Sequence, residues 1–283
     1  MLRLRSTTVG SRRRSGRVRA IGWLLCGSTL AGSFAWSAEP PVLRVGMDTR
    51  SRPWAFVPGL DYTKEDWNQA PRLGPTQLDA LDGVEIDIMK ALARRMGVVP
   101  KVVPCAWVRI EQSLVEKRFD VILNAWVPNS RTPSSVVASS PYYEWGLLIV
   151  VKADNQAIHA YADLAGTRVG YFRDLAVERT VFNVGARELV PVDDSDLLFD
   201  DLAAGRIDAA IEDSTFVRWR VAHDARFRIV GDRLNKIGYR MGLRKEDAQL
   251  LEKVEAAIRD LVASGETDKI RARWESADAP GPR

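Results

Sequence analysis

One theme recurs in this chain and limits what it can fold into. SLVEKRFDVILNA (residues 113–125) and LLFDDLAAGRIDAAIED (residues 197–213) each carry helix-spaced apolar residues, then a polar turn, then an apolar run short enough to be a buried strand. LVPV, just before the second copy, is itself strand-like. Strand, helix, strand in that order calls for a mostly parallel sheet with helices on its faces.

The remaining segments fit this rhythm. VLRVGM (residues 42–47) reads as a strand, and VEIDIMKALARRM (residues 84–96) places Val84, Ile88 and Leu92 at helical spacing before Gly97 stops it. Residues 98–103 read as a strand, 110–116 as a helix and 119–123 as a buried strand. A second cycle starts near Gly146: strands at 147–151 and 167–172, with a helix at 175–183. A long helix, 247–262, and a short one ending at Trp274 close the chain, and residues 277–283 read as a frayed, disordered tail. Residues 58–82 break the rhythm with three prolines and no sustained period. They read either as a functional loop or as a surface insertion holding one helical turn.

At 283 residues, 46% apolar and 28% charged, the chain can form one large domain or two lobes with real cores. Its formal charge of +4 is misleading, because seven arginines fall in residues 1–38, which contain no acid. Without those seven, 34 basic residues face 37 acidic ones, so nothing argues for nucleic acid. Residues 1–38 read as a cleaved signal peptide: a basic start, an apolar stretch from Ile21 to Trp36 and small residues around Ser37. The rival reading is a membrane anchor, but the stretch is short of the ~20 residues needed to span. The route of export, general or twin-arginine, stays open at Ser11-Arg12-Arg13. Beyond the leader only Cys105 remains, so no internal disulfide can form, and with His159 and His223 far apart no zinc site or other cofactor is indicated.

Six phrases in order carry a resemblance: LRVGMDTRSRPWAF, GVEIDIMKALARRMG, VPNSR…SSPYY, DLAGTRVGYF, LAAGRIDAAIED and IGYRMGLRKED. Together the chain resembles the periplasmic solute-binding proteins of ABC transporters, polar amino-acid cluster (bacterial extracellular solute-binding protein family 3). The resemblance implies a two-lobed α/β fold with two crossover strands and ligand in the cleft. Lobe one would be residues 39–146 plus 235–276, and lobe two 147–234. It also implies a monomeric periplasmic binding protein, not an enzyme, that passes an amino acid or related zwitterion to an inner-membrane permease. Two rivals share the fold: an accessory or sensor protein of a periplasmic dehydrogenase system, and a dehydratase-like enzyme using Glu212 or Asp174 as general acid.

By the same resemblance, Arg131 would grip a ligand carboxylate. A guanidinium fork suits that task. Asp213 would hold an ammonium group, with a strand-end cap as its other reading. Asp48 and Ser51 lie on the first cleft loop. Trp107 matches a pocket aromatic, or else a core tryptophan. Gly146 suits a hinge, or else relieves packing. Glu85 and Asp87 read as a solvated or capping face at a helix start, where the dipole favours acids. The chain departs from the family at Asn124 and Trp126, where a glycine and a threonine are usual, and at Phe172-Arg173-Asp174-Leu175, where a hydroxyl turn is usual. Arg173 could supply a charge there, and Trp126 an aromatic wall. These departures point away from a standard small amino acid. A cationic group over Trp54, Trp107, Trp126 and Trp145 is then plausible chemistry, unless most of these rings are core.

Overall fold

The computed structural model describes Gly10 and residues 39–62, 66, 68–173 and 175–281. The expected signal peptide, Gly10 apart, lies outside the described residues. No described helix is long and apolar enough to cross a membrane.

The first half runs β1 (Val42–Met47), β2 (Arg50–Ser51), β3 (Ala55–Phe56), α1 (Pro75–Asp79), α2 (Val84–Met96), β4 (Val99–Pro104), α3 (Ile110–Val115), β5 (Val121–Ile122) and β6 (Val136–Trp145). Next come β7 (Leu147–Lys152), β8 (Arg168–Phe172), α4 (Leu175–Val181), β9 (Glu188–Val192), α5 (Ser195–Ala203), β10 (Ala209–Asp213), α6 (Ser214–His223) and β11 (Phe227–Val230). The chain then returns through β12 (Ile237–Arg244), α7 (Ala248–Ala263) and α8 (Glu266–Trp274).

Two five-stranded sheets result, ordered β4-β1-β5-β12-β6 and β11-β7-β10-β8-β9. The β1–β4, β1–β5, β8–β9 and β8–β10 pairs are parallel, and β12 and β7 run against their neighbours. The fold is therefore two-lobed α/β, each sheet mostly parallel. The chain passes between the sheets twice, from β6 to β7 through Gly146 and from β11 to β12 through residues 231–236. The two passages touch: a Cβ on Gly146 would stand 2.0 Å from the Asn235 carbonyl oxygen, so only glycine fits. Leu147 N–H donates to Asn235 Oδ1 (3.0 Å) and Leu234 N–H to the Leu147 carbonyl (2.9 Å), which binds the passages further.

Helix α2 is held from both ends. Gly97 ends it in the left-handed region. At its start the orphan amides of Val84 and Glu85 donate to the carbonyls of Pro53 and Trp54, both at 2.9 Å. That approach demands Gly83, whose φ is 138° and whose Cβ would meet the Trp54 carbonyl oxygen at 2.1 Å.

Segment 58–82 does contain one helical turn, α1, and it is fastened down: Tyr62 and Leu81 are buried, and Val57 N–H donates to the Tyr62 hydroxyl at 2.9 Å. The tail differs from expectation. Residues 277–281 are not frayed, because Ala279 is buried, Trp219 Nε1 donates to the Pro280 carbonyl and a His223 ring nitrogen lies against the Ala279 carbonyl, both at 2.7 Å. The tail leaves α8, which packs on α2 and α7 of the first sheet, and docks on α6 of the second. Deleting residues 277–283 strands the indole N–H of the buried Trp219. Thermal denaturation of the truncated protein should show a loss of about 1–3 kcal/mol, and an unchanged melting temperature would refute the docking.

Candidate functional site

Side chains at the carboxyl ends of the strands are where an open α/β sheet binds ligands. In the second sheet that position belongs to Asp213, the last residue of β10. It is 5% exposed and caps α6, with Oδ1 accepting from Thr215 N–H at 2.6 Å. Its other oxygen accepts from the hydroxyl of Tyr239, on the returning strand β12. Tyr239 in turn stacks between Tyr143 (5.7 Å) and Trp145 (5.0 Å) of β6. The cap reading of Asp213 is thus realised in the geometry, and the Thr215 hydroxyl and the Phe216 amide also donate to its carboxylate.

In the first sheet the site is built differently from expectation. Glu85 does not face solvent: it is fully buried, and both its oxygens accept from the Tyr142 hydroxyl, at 2.9 and 2.8 Å. The first turn of α2 is tucked under residues 53–54, so an acid there points inward. It also takes the amide of Ala125, a non-glycine residue at φ 52°. Asp87 instead accepts from Arg273 (2.8 Å) and the indole of Trp274 (2.9 Å), which ties α2 to α8.

Asp48 sits at the end of β1 and is committed internally. Its Oδ2 accepts from Arg50 Nη2 (2.7 Å) and Trp107 N–H (2.9 Å), its Oδ1 accepts from Arg50 Nε (2.9 Å), and its own N–H donates to Asn124 Oδ1 (2.6 Å). The side chains of Arg50 and Asp48 are 0% and 2% exposed. Arg50 Nη1 also donates to the Asp66 carbonyl at 2.9 Å, so this pair fastens the 58–82 segment to the first loop. Nothing local in the sequence marks Arg50, because a lone arginine two residues after an aspartate carries no motif.

The other expected residues separate. Ser51 is half-buried in the β2–β3 hairpin. Trp107 opens a short 3₁₀ turn and is 38% exposed. Trp126 is core, 2% exposed among Cys105, Ile110 and Phe119, with its indole donating to Glu111 Oε1 at 2.9 Å. Arg173 pairs with Asp193 at 2.8 Å on an open surface. Arg131 is exposed on a turn closed by Asn129 and Thr132, and among the described residues its guanidinium has no partner. Glu212 lies locked between the Ser195 hydroxyl (3.0 Å) and the Asp213 amide (2.7 Å). Asp174 lies outside the described residues.

Two carboxyls in this region are strongly perturbed. Burial pushes Glu85 up to about 8 against the opposing bonds of Tyr142 and the Ala125 amide, with the Asp213 charge adding to the rise. Burial pushes Asp213 up to about 7, against the Tyr239 hydroxyl and the Thr215 amide. Both lie above their unfolded values, so their contribution to stability is whole below about pH 4 and is lost as pH rises through 7 to 8. Asp208 and Asp224 behave oppositely: bonds from Arg168 and Arg226 lower them, and their contribution is lost in acid. The unliganded protein should therefore be most stable in mild acid and lose on the order of a few kcal/mol between pH 5 and 9. Melting curves across that range should flatten in Glu85→Gln and Asp213→Asn; an equally steep fall in both variants would contradict the assignment.

Comparison with known proteins agrees with this architecture. The chain is 26% identical over 239 residues to the histidine-binding periplasmic protein of Salmonella typhimurium, covering 81% of this chain and 92% of that one. It is 28% identical over 202 residues to the L-cystine-binding protein TcyJ of Escherichia coli K12, covering 70% and 76%. Among solved structures it is similar to an ancestral arginine-binding protein bound to glutamine, with TM-score 0.61, 28% identity and coverage of 82% and 97%. The family model for bacterial extracellular solute-binding proteins, family 3, matches residues 71–277, and the chain belongs to that family.

Proposed function

We propose that this protein captures an amino acid or related zwitterion between its lobes in the periplasm, as a monomer, and hands it to an ABC permease. Lobe one comprises residues 39–146 and 235–276, lobe two 147–234, and Gly146 lies at the hinge. The named relatives are binding proteins for histidine and cystine, which supports an amino-acid-like ligand.

The observation that carries this reading is Asp213. An acid buried at a strand end, beside both passages between the sheets, is poorly solvated, and a cationic partner relieves that cost. A ligand ammonium would take the place of the carboxyl proton. Arg131, exposed and without a partner among the described residues, offers the matching cation for the ligand carboxylate. Two surface cavities, of about 370 Å³ beside Lys152 and Arg226 and about 110 Å³ beside Arg52 and Pro280, include neither residue. Asp213 is 5% exposed, so in this reading the lobes part to admit ligand, which then favours reclosure through contacts that neither lobe makes alone. The enzyme alternative draws no support from Glu212, whose two oxygens are both held internally.

A thermal-shift screen against amino acids, betaines and small organic acids should give a concentration-dependent rise in melting temperature. In calorimetry Arg131→Ala should cost about 2–5 kcal/mol of binding and leave the unliganded melting temperature in place. Asp213→Asn should weaken zwitterions more than simple carboxylates. Undiminished affinity in Arg131→Ala would remove that residue from the site.

A further inference from the structure

The passages at Gly146 and Asn235 are not the only ties between the two sheets. Helix α6 belongs to the second sheet, where it packs on β7, β10 and β11. Its start is pinned to the first passage: Ser214 N–H donates to the Gly146 carbonyl at 2.8 Å, and Gly146 N–H donates to the Ser214 hydroxyl at 3.2 Å. The helix has 10 residues and ends at His223. At 1.5 Å per residue, about 13 Å of rigid helix separates that pivot from the far end.

The far end is held from the opposite side of the molecule. Trp274, the last residue of α8, is buried, and its indole donates to Asp87 of α2 at 2.9 Å, which anchors it to the first sheet. The chain then crosses to α6. Glu275 pairs with Arg218 at 3.7 Å. The Ala279 carbonyl oxygen lies 2.7 Å from His223 Nε2, and the Pro280 carbonyl accepts from Trp219 Nε1 at 2.7 Å. A Cβ on Gly281 would stand 2.7 Å from the His223 ring, so the tail lies flush on the helix. The crossing segment is itself folded into turns: Glu275 N–H donates to the Arg271 carbonyl at 2.9 Å and Ala279 N–H to the Ser276 carbonyl at 3.2 Å.

A helix that starts at a pivot and is tied at its far end to the other lobe cannot turn freely. Hinge motion concentrates the backbone change in a few residues and leaves helices rigid. A swing of the second lobe about Gly146 therefore moves Trp219 and His223 relative to α8. It must break either the docking bonds or the turn bonds of the crossing segment, and the first choice strands the N–H of the fully buried Trp219.

We propose that residues 275–281 are a strap that ties the far end of α6 to α8 and holds the unliganded protein compact until the tail gives way. The proposal rests on the lobe motion of the capture reading and not on the identity of the ligand. A strap of this kind favours the closed arrangement with or without ligand, so it also slows ligand release.

Small-angle X-ray scattering on the unliganded mature protein tests this, comparing the full chain with deletion of residues 277–283 and with Gly281→Val. The valine crowds the His223 ring and leaves α6 unaltered. Both variants should show a larger radius of gyration than the full chain while keeping the circular dichroism of a folded protein. Should the deletion fold poorly, Gly281→Val gives the answer by itself. Saturating L-histidine or L-arginine should return the variants to the compact radius, and stopped-flow release of the amino acid should be about tenfold faster than from the full chain. Equal unliganded radii in the full chain and the folded variants would overturn the strap and leave the capture reading standing. Those radii decide the strap whether or not either amino acid binds, and binding of neither would count against the capture reading alone.

Discussion

The bond between Tyr239 and Asp213 joins the parts of this molecule that must cooperate. Asp213 ends β10 and caps α6 in the second sheet, while Tyr239 belongs to β12 of the first. One carboxyl therefore fixes a helix start and faces the returning strand, and in the proposed reading it is the charge that a ligand cation would meet. Its burial makes it sensitive to protons, because the charged form is poorly solvated and the neutral form loses little by burial. Glu85 nearby is subject to the same physics with a different partner, Tyr142. Both acids are thus coupled to tyrosines of the strands that run between the lobes.

The first sheet depends on another buried charge. Asp48 and Arg50 hold each other out of solvent and in doing so fasten the loops around Trp107, Asn124 and Asp66. Removing one member of such a pair leaves an uncompensated buried charge, about 3–5 kcal/mol, so the pair acts as a clamp on these loops. In the proposed site, Arg131 and Asp213 rather than Asp48 would meet the ligand, because Asp48 is already paired with Arg50.

Much of the fold was legible. The longer strands and helices from Val42 to Ile122 follow from periodicity, and α2 was readable down to its stop at Gly97, whereas the two-residue strands β2 and β3 are too short to carry a period. Two longer elements were not legible either. Strand β6 contains Pro141 and paired serines, which argue against a strand; it survives because β6 is an edge strand and Pro141 falls where the pairing with β12 shifts register. Helix α6, STFVRWRVAH, has no apolar stripe because residues 214–217 are all buried, so no amphipathic period marks it. Among site residues the ion pairs of Asp48 and Arg173 and the burial of Trp126 depend on partners distant in sequence or in unremarkable context. No local pattern announces them.

By itself the sequence determined the family, the alternation that builds two α/β lobes and the candidacy of Arg131 and Asp213. These depend on local spacing and on the order of phrases along the chain. Only the tertiary structure decided which acids are buried, that Asp48 is neutralised by Arg50, that Glu85 points inward and that the Asp213 carboxyl meets the Tyr239 hydroxyl. Burial and pairing are properties of groups brought together from distant parts of the chain, and the free energy of a charge or an N–H is set by what surrounds it after folding.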